Sequence, residues 1–70
     1  MLTARQKELV KYINEKKVIS SDEAFKFFVN RQHAKAVLMF LMNNGYCEID
    51  GSNYGYYKLT NKGKEALKNN

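Results

Sequence analysis

Apolar positions near the start of the chain follow a helical spacing, with Leu9, Val10 and Ile13 on one face and Lys7, Lys11 and Glu15 facing water. Thr3-Ala4-Arg5-Gln6 precedes them as a capping box, in which Thr3 caps and Gln6 reaches back. Lys16 and Lys17 stand where this helix should end, favourably placed against its negative pole. The β-branched pair Val18-Ile19 then predicts a brief strand. Ser20 and Glu23 repeat the capping-box spacing, and Asp22 adds an acid to the first turn of a second helix. That helix is short and apolar, since Ala24, Phe25, Phe27, Phe28 and Val29 are interrupted only by Lys26. Asn30 suits either a left-handed end to this helix or the cap of the next. A third helix runs from about Arg31 to Asn43 and stops at Asn44-Gly45.

Beyond Gly45 the period changes from helical to alternating. Cys47 and Ile49 are expected to point inward, and Tyr46, Glu48 and Asp50 the other way. Asp50-Gly51-Ser52-Asn53 is a turn sequence. On the return strand Tyr57 and Leu59 share one face, while Tyr54, Tyr56 and Lys58 share the opposite one. The segment reads as a β-hairpin over about 46–59. Thr60 can cap a last helix with Gly63, Ala66 and Leu67 on one side and Lys62, Lys64 and Lys68 on the other. The fold class is therefore α+β and mostly α, in the order helix, short strand, helix, helix, hairpin, helix.

Length confines this pattern to a single domain over residues 1–70, with a modest core. A hydrophobic content of 44% argues against disorder. The longest apolar run, Ala36 to Met42, falls short of the ~18 residues that a membrane span needs. The first residues carry no basic region followed by an apolar stretch, so no secretory leader is expected and the location is expected to be cytoplasmic. A net charge of +5 suits an anionic partner. Positive charge collects in 1–17, 30–45 and 58–70, whereas 18–29 and 46–57 are net negative. Ten of the twelve cations are lysines, which attract phosphate as point charges.

Three stretches carry a resemblance. Ala34, Leu38 and Leu41, followed by Asn43-Asn44-Gly45-Tyr46, look like a recognition helix and its exit. Tyr57-Lys58-Leu59-Thr60-Asn61-Lys62-Gly63 with Leu67 looks like the exit from a wing. Ile19-Ser20-Ser21-Asp22-Glu23-Ala24 resembles the strand leading into a helix-turn-helix. Together they are similar to the minimal cores of MarR-, ArsR- and PadR-type regulators. The resemblance implies a winged helix-turn-helix: a three-helix core with the motif over about 21–44, a C-terminal hairpin wing and a short final helix. It further implies a transcription regulator that binds double-stranded DNA, with the third helix in the major groove.

The residues expected to touch DNA follow from that placement. Arg31 suits guanine, Gln32 adenine, and Lys35 a phosphate or guanine, with His33 beside them. Ser20 and Ser21, with the N–H groups at the start of the second helix, suit a phosphate. Ser52, Asn53, Tyr54, Tyr56 and Lys58 are the wing groups able to meet a sugar-phosphate backbone. Two features pull the other way: Glu48 and Asp50 make the wing acidic, and Val37 to Met42 is apolar all round the helix. Part of Met39, Phe40 and Met42 should stay exposed or be covered, either by the hairpin or by a second copy in a homodimer. The rival readings are a protein-interaction winged helix and an RNA- or ribosome-binding protein.

No enzyme, cofactor, metal or small-molecule ligand is expected. A lone His33 cannot supply the ligands of a zinc site, and Cys47 reads as a small buried hydrophobe rather than a redox sensor. Ser20, Ser21 and Asp22 are adjacent, so they cannot line up as nucleophile, base and orienter.

Overall fold

The computed structural model describes residues 2–68; residues 1, 69 and 70, which the expected domain includes, lie outside them. The order of elements is α1 (Ala4–Lys16), β1 (Val18–Ser20), α2 (Ser21–Lys26), α3 (Arg31–Asn43), β2 (Cys47–Ile49), β3 (Tyr56–Leu59) and α4 (Asn61–Lys68). This is the α+β winged-helix arrangement, mostly helical with one small antiparallel sheet.

Both capping boxes close. Thr3 Oγ1 accepts from the Gln6 N–H at 3.2 Å, and the Gln6 side chain accepts from the Thr3 N–H at 2.9 Å. Ser20 and Glu23 do the same at α2, at 3.1 and 3.4 Å. The other Glu23 oxygen accepts from the Tyr12 hydroxyl at 2.9 Å, which ties α1 to the start of α2. That hydrogen bond, more than desolvation or the charge of Glu23, raises the Tyr12 phenol above its ordinary pKa.

α2 is shorter than the apolar run suggests. It ends at Lys26, and Phe27 to Asn30 form a connection that buries Phe28 and leaves Val29 fully exposed. Asn30 takes the second of its two roles, extended at φ −91° and ψ 114° with its side chain accepting from the His33 N–H at 3.0 Å. Starting α3 there requires the chain to leave the helical path before Phe28. The rings of Tyr12, Phe27 and Phe28 pack in series, with centroids 5.0 and 4.9 Å apart.

The sheet order is β1-β3-β2, so β3 is the central strand. The hairpin thus gains a third strand from the chain before α2, with Ile19 opposite Tyr57 and Cys47 opposite Leu59. Leu9, Val10 and Ile13 of α1 meet Ala34, Val37, Leu38 and Leu41 of α3 in the core, closed by Ile19, Cys47 and Leu59. Each fully buried side chain of this size contributes about 1.5–3 kcal/mol.

One inward expectation is corrected. Ile49 shares a row with Ile19 and Tyr57, yet burial falls along that row, from fully buried Ile19 through half-buried Tyr57 to Ile49 at 50% exposure. The helices cover the β1 side of the row, and Ile49 on the edge strand β2 runs past them. On α3 the apolar stretch divides. Met39 and Phe40 stay 46% and 38% exposed, whereas Met42 packs against the core. Phe40 stacks on Tyr46 with centroids 6.5 Å apart.

Candidate nucleic-acid interface

The burial of Ala34, Val37, Leu38 and Leu41 fixes the rotation of α3 about its axis and turns Arg31, Gln32, Lys35, Ala36 and Met39 outward. Arg31, Gln32 and Lys35 then line one cleft of about 230 Å³ together with Phe25 of α2. The Arg31 guanidinium carbon stands 5.9 Å from the Phe25 ring centroid, within range of a cation–π attraction. The ring supports the guanidinium and leaves its donors free to turn outward. The lining contains no carboxylate. Two cations and one amide are thus presented together on the exposed N-terminal half of a helix, the part that helix-turn-helix readers turn to base edges.

His33 does not join this lining. It is exposed, and its ring meets Phe28 edge to face at 5.2 Å. The start of α2 is largely engaged by the protein itself. The Ser20 hydroxyl accepts from the Glu23 N–H, and the Ser21 N–H donates to the Gly55 carbonyl at 3.0 Å. Asp22 and Glu23 add two carboxylates to that first turn, which opposes the attraction for phosphate expected there.

In the wing, the acidic tip is partly spent on the turn. Asp50 Oδ1 accepts from the Ser52 N–H at 3.2 Å, and Oδ2 accepts from the Asn53 side-chain amide at 3.3 Å. Tyr54 follows at 97% exposure, beside Gly55 at φ 86°, a conformation open to glycine at little cost. Tyr56 is exposed as well. Lys58 is half-buried and lines a different cleft, together with Lys17 and Lys64. The sequence pattern groups Lys58 with the wing, and both of those partners, like Phe25 beneath Arg31, lie outside the contacts that it marks. No local signal marks such neighbours, because each lies on another element.

Cys47 is buried, and desolvation pushes its thiol up to about 12. It stays protonated near neutrality, as a packed hydrophobe would, and offers no thiolate nucleophile.

The family model of the RQC domain matches residues 28–70. That stretch takes in α3, both hairpin strands and α4, and leaves α1, β1 and α2 outside the match. No curated protein and no solved structure matches the chain. The match corrects the resemblance to MarR-, ArsR- and PadR-type regulators, which holds for the winged helix but not for the family. The motifs behind that resemblance are ones the fold itself demands: a helix stop at Asn44-Gly45, a wing exit, and a glycine where α4 meets the sheet. With more than half of its length matched, the chain belongs to the RQC-domain family, the winged-helix nucleic-acid-binding domains found in RecQ helicases.

Proposed function

We propose that the chain binds double-stranded DNA through the N-terminal half of α3 and acts on transcription by occupying its site. The observation that carries this reading is the gathering of Arg31, Gln32 and Lys35 in one cleft without a carboxylate, the Arg31 guanidinium lying over Phe25. Arg31 pairs with guanine O6 and N7, Gln32 with adenine, and Lys35 with guanine or a phosphate. The wing adds Tyr54 and Tyr56 at the edge of the duplex, with Ser52 and Asn53 at its turn. Phosphate contacts supply affinity, and the three α3 side chains supply discrimination.

Fluorescence anisotropy with a random-sequence duplex across a salt series tests the reading. Log affinity should fall against log salt with a slope between about −3 and −6, as several phosphate contacts at about 0.9 each require. The paired substitution Arg31→Gln and Lys35→Gln should weaken binding and flatten the slope. Selection from a random duplex pool should then enrich one sequence. Absence of binding at low salt sinks the duplex reading, and a pool that stays random removes the regulatory one.

A second reading rests on the exposure of Met39 and Phe40 on α3. A second copy covering them would give a homodimer with two reading helices for a palindromic site. Sedimentation equilibrium of the chain and of Met39→Gln decides it: a dimer that the substitution dissociates supports it, and a monomer at all concentrations rejects it.

A further inference from the structure

Away from α3, the C-terminal end of α1, the β1–β3 ladder and α4 enclose a cleft of about 280 Å³ lined by Ile13, Asn14, Lys17, Val18, Lys58, Leu59 and Lys64. Three of these seven residues are lysines, and none is a carboxylate. They come from three separate places. Lys17 follows α1, Lys58 lies on the central strand opposite Val18, and Lys64 lies on α4. The nearest carboxylate in register, Glu48 opposite Lys58 on β2, is outside the lining. Ile13, Val18 and Leu59 supply apolar walls, against which positive potential is screened less than on an open surface. Lysines from three elements thus line one cavity, where their side chains can meet one anion from different sides.

Lys17 is held there at a cost. It is the one residue other than glycine with positive φ among the described residues, at φ 76° and ψ −53°. These angles are near those of the strained form of the γ-turn. Glycine or asparagine would adopt a positive φ more readily, yet the position carries a lysine beside two others.

We propose that Lys17, Lys58 and Lys64 form a second phosphate-binding site, which takes a backbone phosphate of the bound nucleic acid away from the contact on α3. The proposal rests on the reading of α3 as the first contact. The two clefts have no lining residue in common, so the domain offers the backbone two separate places of contact. Lysine suits this role, since an ammonium group meets a phosphate as a point charge without the fixed fork of arginine. The Asn14 amide adds a neutral donor to the same lining.

The test is an amide NMR titration of the whole chain with sodium tripolyphosphate and, separately, with a short duplex. The salt dependence of duplex affinity is measured alongside. Saturable shifts with both probes are expected at Asn14, Lys17, Val18, Lys58 and Lys64. The paired substitution Lys17→Gln and Lys64→Gln should abolish them and lower the magnitude of the salt slope by about 2, at about 0.9 per lost phosphate contact. Arg31→Gln with Lys35→Gln, run in parallel, should leave the tripolyphosphate shifts at the cleft intact, so failure at α3 and failure at the cleft are told apart. Tripolyphosphate saturation with an unchanged slope in the Lys17 and Lys64 pair overturns the backbone assignment and makes the ligand a free oligophosphate. If neither probe gives saturable shifts, there is no phosphate site.

Discussion

Replacing Gly63 with alanine sets two physical effects against each other, and the structure decides the sign. Gly63 is the third residue of α4, and on helix propensity alone alanine should gain about 1 kcal/mol. A Cβ at this position, however, would overlap the Tyr46 carbonyl oxygen and lie 3.1 Å from Leu59 Cδ2. The carbonyl cannot swing aside freely, because it accepts from the Thr60 N–H at 3.1 Å. Thr60 also caps α4 by accepting from the Gly63 N–H at 3.1 Å, and its hydroxyl donates to the Gly45 carbonyl. Moving α4 outward therefore strains several bonds together. Overpacking costs about 1–3 kcal/mol, and a weakened backbone hydrogen bond about 1 more. After the propensity gain, Gly63→Ala should lose about 2 kcal/mol. For a domain this small, that lowers Tm by roughly 8–16 °C. Urea and thermal unfolding followed by circular dichroism measure both quantities. Gly51→Ala is the control, since nothing lies within 4 Å of a Cβ there and its φ is not positive, so its change should be small. An alanine at position 63 that matches or exceeds the parent in stability would refute the close approach of α4 to Tyr46.

Two further predictions concern buried and strained groups. Lys17→Gly should raise stability by about 1 kcal/mol, because strain of about 1–3 kcal/mol is relieved against a glycine entropy cost of about 0.5–1. Lys17→Gln removes the same charge without that relief, so an equal Tm gain in both variants would show repulsion, not backbone strain, to be the cause. The Cys47 thiol, raised from 9.0 to about 12 in the fold, favours the folded state only while it stays protonated. Stability should therefore be unaffected by this group below about pH 9 and decline between pH 9 and 12, more in the parent than in Cys47→Ala. Equal alkaline decline in both proteins would disprove the assignment.

Local chemistry made most of the elements legible. The paired cap residues Thr3/Gln6 and Ser20/Glu23 mark helix starts through bonds that span three positions, and Asn44-Gly45 ends α3 as its type demands, with Gly45 at φ 79°. Asn30 stayed ambiguous because its side chain suits two roles, and only the need to bury Phe28 selects between them. The expected inward face of Ile49 was right in period and wrong in cover, since alternation gives a side of the sheet but not how far the helices extend over it. In the candidate site, the outward set on α3 followed from the core positions Ala34, Leu38 and Leu41. Phe25 beneath Arg31 and the company of Lys58 were not legible, because those neighbours meet only through the packing of distant elements. In the sequence Lys17 is a charge near a helix end, and nothing about a lysine announces a positive φ.

The central position of β3 has a consequence for how this fold can be cut. The family signature begins at residue 28, yet β3 takes one of its two partners from Val18–Ser20, and the core takes Leu9, Val10, Ile13 and Ile19 from the same earlier stretch. A fragment starting at residue 28 would keep every matched residue while stripping the apolar cover from α3 and making β3 a bare edge. The stretch of this chain that matches the family is thus smaller than the stretch that shares one core. Transplanting the wing and α3 onto another scaffold will succeed only if that scaffold supplies a helix and a strand in place of the first twenty residues.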